Sequence, residues 1–138
     1  MAASKKLSLA VKALYVIERH LNEPLSSNQI ASELGVNPSK LRRILSLLVK
    51  SNLVESTQGT SGGFVLKRVP DTISLQEIYC SVEENKAFYL DVHDHEDCNS
   101  SSSKMNNFFY DLFADVQVAI ENKMSQISLK DVVEKIDN

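Results

Sequence analysis

Glycine is scarce in this chain. There are four in 138 residues, and three of them (Gly59, Gly62 and Gly63) fall within five positions in the stretch STQGTSGGFVLK. Glycine loses more backbone freedom on folding than any other residue, so this place must need a bare backbone. A hairpin turn, a phosphate cradle and a loop pressed against another molecule all meet that description. Cysteine is scarcer still. Cys80 and Cys98 are too few for a disulfide framework, a four-cysteine zinc site or an all-cysteine cluster within one chain. Long hydrophobic runs are missing as well, with no window near the ~20 apolar residues that span a bilayer. The opening MAASKKLSLAVKALYVIERH threads charges through its apolar positions and lacks a signal-peptide layout. These absences lead us to expect a cytoplasmic chain with reduced thiols and no membrane partner.

What is present is enough for one domain, or one domain with a dimerising extension, since 43% of the residues are apolar. The net charge of −3 conceals a split: residues 1–68 carry ten Lys or Arg against four Asp or Glu, and residues 69–138 carry five against fourteen. Such segregation suggests that the front half meets an anionic partner and the rear half does not.

Residues 8–21 place Ala10, Ala13, Leu14, Ile17 and Leu21 at helical spacing, and NEPL then breaks the helix. In SSNQIASELGVNPSKLRRILSLLVKSNLV, Ser26 and Gln29 form a capping box ahead of a short helix that ends at Leu34. Gly35 supplies a left-handed stop, Asn37 is an N-cap, and Pro38 occupies the first helical position. The next helix runs to about Ser51, with Leu41, Ile44, Leu45 and Leu48 inside and Ser39, Arg42, Arg43, Ser46 and Lys50 outside. Two helices joined by a short turn, the second basic on its outer side, form a helix-turn-helix pattern. The segments 53–57 and 64–67 read as strands flanking the glycine loop, so the hairpin is a wing. A nucleotide-binding loop is excluded, because GTSGG lacks the lysine of a P-loop and leads into a strand.

Beyond Pro70, TISLQEIYCSVEEN and QISLKDVVEKIDN echo each other, with Ser74 and Glu77 as one capping box and Ser128 and Asp131 as another. The echo reads as one local solution used twice. Residues 87–104 are a polar loop ending in four serines, and a helix follows from about Met105 to Met124. Its apolar stripe is too broad for a helix resting on one small domain, which points to a second subunit on the other flank.

Arg42 and Arg43 sit outward near the start of the recognition helix. A guanidinium matches the O6 and N7 edge of guanine, and phosphates or neighbouring carboxylates are the competing partners; the sequence does not say which arginine reads a base. Ser39 and Lys40 in the first turn can touch phosphates, as can Ser26 and Ser27 beside their capping role. Asn37 and Ser46 complete the candidate surface. At the wing, Thr60 and Ser61 offer hydroxyls, while Gly62 and Gly63 either bring the backbone close to DNA or simply allow a tight turn with positive φ. His93, His95 and Cys98 have the spacing H-x-H-x-x-C, able to bind a transition metal, with a solvated acidic loop as the alternative. Asp94, Glu96 and Asp97 around Cys98 should raise its thiol pKa. No metal site is assigned. Cys80, next to Tyr79 and near Val82, reads as a small core filler. No clustered general base or oxyanion arrangement is visible, which points away from an enzyme.

From Leu7 to about Glu83 the chain resembles the bacterial winged-helix regulators of the IscR, NsrR and CymR (Rrf-two) family. The resemblance rests on LSLAVKALYVIERH, the SSNQIASELGVNPSKLRRILSLLVKSNLV stretch and GTSGGFVLKRVPDTISLQEIYCSVE, in that order. It implies a mainly α fold with a small β-hairpin: a winged helix-turn-helix domain (1–85), a sensor loop (86–104), and a dimerisation helix with a C-terminal helix (105–138). It also implies a homodimeric repressor on a palindromic duplex DNA operator, with Cys98 in a loop that answers an oxidant or small molecule. Cluster-binding relatives carry three closely spaced cysteines there; this chain has one, so no iron–sulfur cofactor is expected. Gln58 stands where the family often has an arginine before the first wing glycine, which weakens the expected grip on a narrow minor groove. The runner-up reading is a winged-helix module that docks a protein without sequence-specific DNA binding.

Overall fold

A computed structural model describes residues 5–21, 23–83 and 101–138. The first helix, α1 (Lys5–Arg19), buries Ala10, Ala13, Leu14, Val16 and Ile17 along one face. It begins and ends earlier than the apolar spacing suggests. Leu21, expected on the inner face, is 61% exposed because the helix has already stopped ahead of Pro24, whose ring disfavours helical geometry in the preceding residue.

The next two helices follow from short-range chemistry. In α2 (Ser27–Leu34) the Ser26 hydroxyl accepts from the Gln29 amide at 3.1 Å, and the Gln29 side-chain oxygen accepts from the Ser26 amide at 2.8 Å. Two amides that the helix itself cannot pair are thereby satisfied. Gly35, at φ 65°, ends the helix in the left-handed region as expected. In α3 (Pro38–Lys50) the Asn37 side-chain Oδ1 accepts from the Ser39 amide at 2.8 Å, and Leu41, Ile44, Leu45 and Leu48 are all buried. Their row at i, i+3, i+4 and i+7 fixes the rotation of α3 about its own axis.

Two three-residue strands, β1 (Val54–Ser56) and β2 (Phe64–Leu66), form the antiparallel wing with Val54 opposite Leu66 and Ser56 opposite Phe64. Leu25 adds a single bridge on the outer edge of β2: the Phe64 amide donates to its carbonyl at 2.8 Å, and its own amide donates to the Phe64 carbonyl at 3.2 Å.

A one-turn 3-10 helix (Pro70–Thr72) leads into α4 (Leu75–Val82). The chain then returns as the long α5 (Ser101–Ser125) and ends in α6 (Leu129–Asp137). The helix α5 starts inside the serine run, four residues before the expected Met105; neither Pro nor Gly interrupts that run, and serine is well suited to a first helical turn. The two echoing segments turn out to pair with each other. The Leu75 amide donates to the Ile127 carbonyl at 2.7 Å, and the Leu129 amide donates to the Ile73 carbonyl at 2.8 Å. Both capping boxes form, so α4 and α6 spring from one joint. The Ser128 amide and hydroxyl hold the Asp131 carboxyl below its usual range.

Leu129 and Val133 of α6 join Leu14, Ile30, Leu41, Leu45, Leu53, Ile73 and Ile78 in one apolar core. The far end of α6 is tied to α1, where the Tyr15 hydroxyl donates to Asp137 at 2.6 Å. Cys80 departs from the expected core position and is exposed, its sulfur accepting from the Gln76 amide group at 3.2 Å. The eight residues of α4 spend their buried face on Ile78, Tyr79 and Val82, which turns position 80 outward.

Beside the joint, Arg68 donates to Glu77 at 3.1 Å and to the Thr72 carbonyl. Burial pushes the Glu77 carboxyl up, but the hydrogen bond from Arg68, the Ser74 amide and the guanidinium charge outweigh it and hold the group below its ordinary 4.5. A lowered carboxyl pKa in the folded state stabilises at neutral pH, and that contribution is lost as pH falls through the folded value. Urea unfolding should therefore show wild type more stable than Glu77→Gln at neutral pH, with the gap closing as pH drops below 4.5. A gap independent of pH would show that the carboxylate charge at Glu77 contributes nothing.

Candidate nucleic-acid interface

The burial of one face of α3 presents the other. Ser39, Arg42, Arg43, Ser46 and Lys50 are all exposed and lie along one ridge. Between Ser39 and Lys50 there are four cations and no carboxylate, so the ridge is positive along its whole length.

The two arginines are not equivalent. Arg42 folds back on the start of α2, its Nη2 donating to the Asn28 Oδ1 at 3.2 Å and its Nε reaching the Ser27 hydroxyl at 3.4 Å. Arg43 makes no hydrogen bond or ion pair among the described residues and projects into solvent. Asn28 was not singled out from the sequence; its partner lies fourteen residues on, and only the packing of α2 against α3 brings them together. Ser26 and Asn37 have their side-chain oxygens committed to helix caps, and Ser27 to Arg42, so each faces the ridge as a positioning group first.

At the wing, Gln58, Thr60 and Ser61 are exposed at the tip. Of the three glycines only Gly59 has positive φ, at 107°. Gly62 and Gly63 do not, which corrects the idea that the pair serves a left-handed turn. Both lie too close to neighbouring backbone to carry a side chain. A Cβ on Gly63 would lie 2.5 Å from the Leu25 carbonyl oxygen, and one on Gly62 would collide with the Thr57 carbonyl. Thr57, unremarked in the sequence, clamps the base of the tip. Its hydroxyl donates to the Gly63 carbonyl at 3.1 Å and accepts from the Gly63 amide at 2.9 Å. The bare backbone at Gly63 lets the wing lie directly against Leu25 of its own domain. His93, His95 and Cys98 lie outside the described residues.

The helix α5 packs on α4 yet leaves a broad apolar surface open. Met105 is 59% exposed, Phe108 62% and Leu112 43%, with Phe109 edge-to-face against Phe108 and stacked on Phe113 at ring-centroid distances of 5.5 and 5.8 Å. Among the described residues no helix is long and apolar enough to cross a membrane, so this surface is not a bilayer span.

A family model described as "Iron-dependent Transcriptional regulator", Rrf2, matches residues 3–135. The chain belongs to the Rrf2 family. It is a DNA-binding regulator of the helix-turn-helix type, and the family is one of transcriptional regulators, not of enzymes. A curated Bacillus subtilis relative named as an HTH-type transcriptional regulator, YwnA, is 34% identical over 131 residues, covering 94% of this chain and 96% of its own. IscR of Aliivibrio salmonicida is 27% identical over 139 residues, covering 79% of that protein. Among solved structures, T. potens IscR superposes with a TM-score of 0.72 at 26% identity, covering 99% of this chain and 88% of that one. CymR of B. subtilis gives the same TM-score of 0.72 at 21% identity, covering 98% of each chain; at that identity it shows the shared fold alone.

The close approach at the wing is testable. Gly63→Ala must push the Leu25 strand away from β2, and we expect a loss of about 1–3 kcal/mol of stability, typical of overpacking. Amide exchange at Phe64 should speed up by more than the global stability loss accounts for. Unchanged protection at Phe64 would mean that the contact with Leu25 is not needed.

Proposed function

We propose that the chain acts as a homodimeric, sequence-specific repressor that places the α3 ridge of each subunit in the major groove of a palindromic operator. The observation that carries this reading is the division of α3, whose apolar row is fully committed to the core while its cationic row, free of carboxylates, is left to solvent. A helix so divided fits a major groove, where phosphates favour cations and guanine edges accept from guanidinium. Arg43 is the base reader in this scheme. Arg42 is a positioning residue that braces α2 against α3 through Asn28 and Ser27, and it reaches a phosphate. Ser39, Lys40 and Ser46 flank Arg43, and the wing tip at Gln58, Thr60 and Ser61 follows the adjacent backbone. The neutral Gln58 gives that tip a weaker hold on a narrow minor groove than a cation would.

The open face of α5 supports the dimer. Exposed Met105, Phe108 and Leu112 form a contiguous apolar strip of the kind that a second copy covers. A redox or small-molecule signal acting at the loop with His93, His95 and Cys98 belongs to the same proposal. The family's description as iron-dependent raises the question of a cluster. Thiolate-held iron–sulfur clusters take four cysteines. The donors present are Cys98 and Cys80, and the latter sits exposed on α4 beside Gln76. That set does not fit an all-cysteine cluster within one chain, and the scheme uses none.

Anisotropy titrations on a duplex selected from a random pool, and on a scrambled duplex, test the reading. Wild type should bind the selected duplex more tightly, with affinity falling steeply as salt rises. Arg43→Ala should remove about 1–3 kcal/mol of discrimination per half-site between the two duplexes, whereas Arg42→Ala should weaken both alike. Equal discrimination in wild type and Arg43→Ala would refute the assignment, and protein-partner binding without any DNA affinity would favour a docking module. For the dimer, Phe108→Asp with Leu112→Asp should sediment as a folded monomer and lose most operator affinity. A variant that remains dimeric would place the interface elsewhere.

A further inference from the structure

The ridge on α3 is not the only cationic surface at this end of the molecule. A groove of about 480 Å³ opens between α1 and the start of α3, lined by Lys5, Ser8, Leu9 and Lys12 from α1 and by Val36, Asn37 and Lys40 from the helix-turn-helix. Lys5, Ser8 and Lys12 recur at i, i+3 and i+7, which puts them on one side of α1. The two lysines are about 10 Å apart along its axis.

Three features of the groove bear on its occupant. All three lysines are exposed, and none makes a hydrogen bond or ion pair among the described residues. No carboxylate lines the groove, and the first turns of both α1 and α3 are free of acidic residues. Its floor is Leu9 and Val36, both half-buried, with the Ser8 hydroxyl at the margin. Three unpaired ammonium groups around a shallow trough with no counter-charge of their own call for a polyanion with regularly spaced charges. A compact anion would be met by a converging pocket, but here the cations are strung along a helix.

The groove also has a fixed place relative to the ridge. Asn37 and Lys40 belong to it and to the N-terminal end of α3. A helix inserted in the major groove by its N-terminal residues stands between two phosphate walls about 12 Å apart. Whatever flanks that end of the helix meets a wall. We infer that Lys5 and Lys12 of α1 form, with Lys40, a rail for the DNA phosphodiester backbone that extends beyond the helix-turn-helix onto α1 and sets how deeply α3 enters the groove. The inference rests on the DNA reading above and extends the footprint to α1. Phosphate contacts of this kind position a protein and carry no sequence information, so the rail contributes affinity and salt dependence but not discrimination.

The test uses the full chain with the selected and scrambled duplexes. Each phosphate neutralised adds about 0.9 to the slope of log affinity against log salt. Lys5→Ala with Lys12→Ala removes two contacts from each subunit, so it should make the slope of the dimer shallower by about 4 and weaken both duplexes by the same factor. Lys6→Ala is the control, since Lys6 is exposed on α1 but does not line the groove; it should leave the slope near wild type. Lys5→Arg with Lys12→Arg should retain the wild-type slope, and circular dichroism should show all variants folded, since these side chains are exposed. A steep wild-type slope that the alanine pair leaves unchanged overturns the rail alone. So does a loss confined to the selected duplex, or an equal loss from Lys6→Ala. If wild type binds neither duplex at low salt, the DNA reading falls and takes the rail with it.

Discussion

The rotation of α3 about its own axis is the constraint on which the rest of this molecule depends. Thirteen residues serve two surfaces at once, and the four leucines and isoleucines that face inward leave no freedom in which residues face out. A helix with a half-filled apolar row could roll by one position and present a different set of polar groups. Here the row is filled by Leu41, Ile44, Leu45 and Leu48, all part of one core that also holds Leu14 of α1 and Leu129 of α6. Each side chain of this kind contributes about 1.5–3 kcal/mol when fully buried. Rolling α3 would forfeit several of those contributions together, and for that reason the direction of Arg43 is as fixed as the core itself.

The same economy appears at the wing. A thin tip needs a close strand approach, and the chain achieves it with Gly62 and Gly63 at its base and Thr57 clamping across them. Leu25, just ahead of the Ser26 cap, holds the outer edge of β2. The start of the helix-turn-helix and the wing thus share a pair of backbone hydrogen bonds. Any displacement of α2 is felt by the hairpin, and the reader moves as one body.

What could be read from the sequence, and what could not, divides by the distance over which each interaction acts. The capping boxes at Ser26, Ser74 and Ser128, the left-handed Gly35 and the Asn37–Pro38 helix start all depend on neighbours within four residues, and each formed as its local pattern suggests. The inner and outer faces of α3 followed from periodicity for the same reason. The role of Gly63 was hidden because its partner, Leu25, lies far away in sequence. The preference of Arg42 for Asn28 was hidden because two arginines at adjacent positions look alike until a second helix is placed beside them. Cys80 was misjudged from apolar neighbours in sequence, although on a helix the neighbours that matter are three and four residues away. The echo of ISL at 73–75 and 127–129 was visible, but nothing local in either copy states that the two would bind each other.

That mutual pairing governs the whole C-terminal half. The chain passes the joint at Leu75 and comes back to it at Ile127, so residues 76–126 are bracketed by the same two hydrogen bonds. Closing so long a loop carries an entropic penalty that grows only slowly with its length. Residues between α4 and α5 can be added or removed while the joint stays put. The helix α4 starts at that joint, packs on α5 and sends Ile78 and Val82 into the core, so a lean or twist of α5 is felt by α1 and α3 through α4 as well as through the Ser74–Ser128 joint.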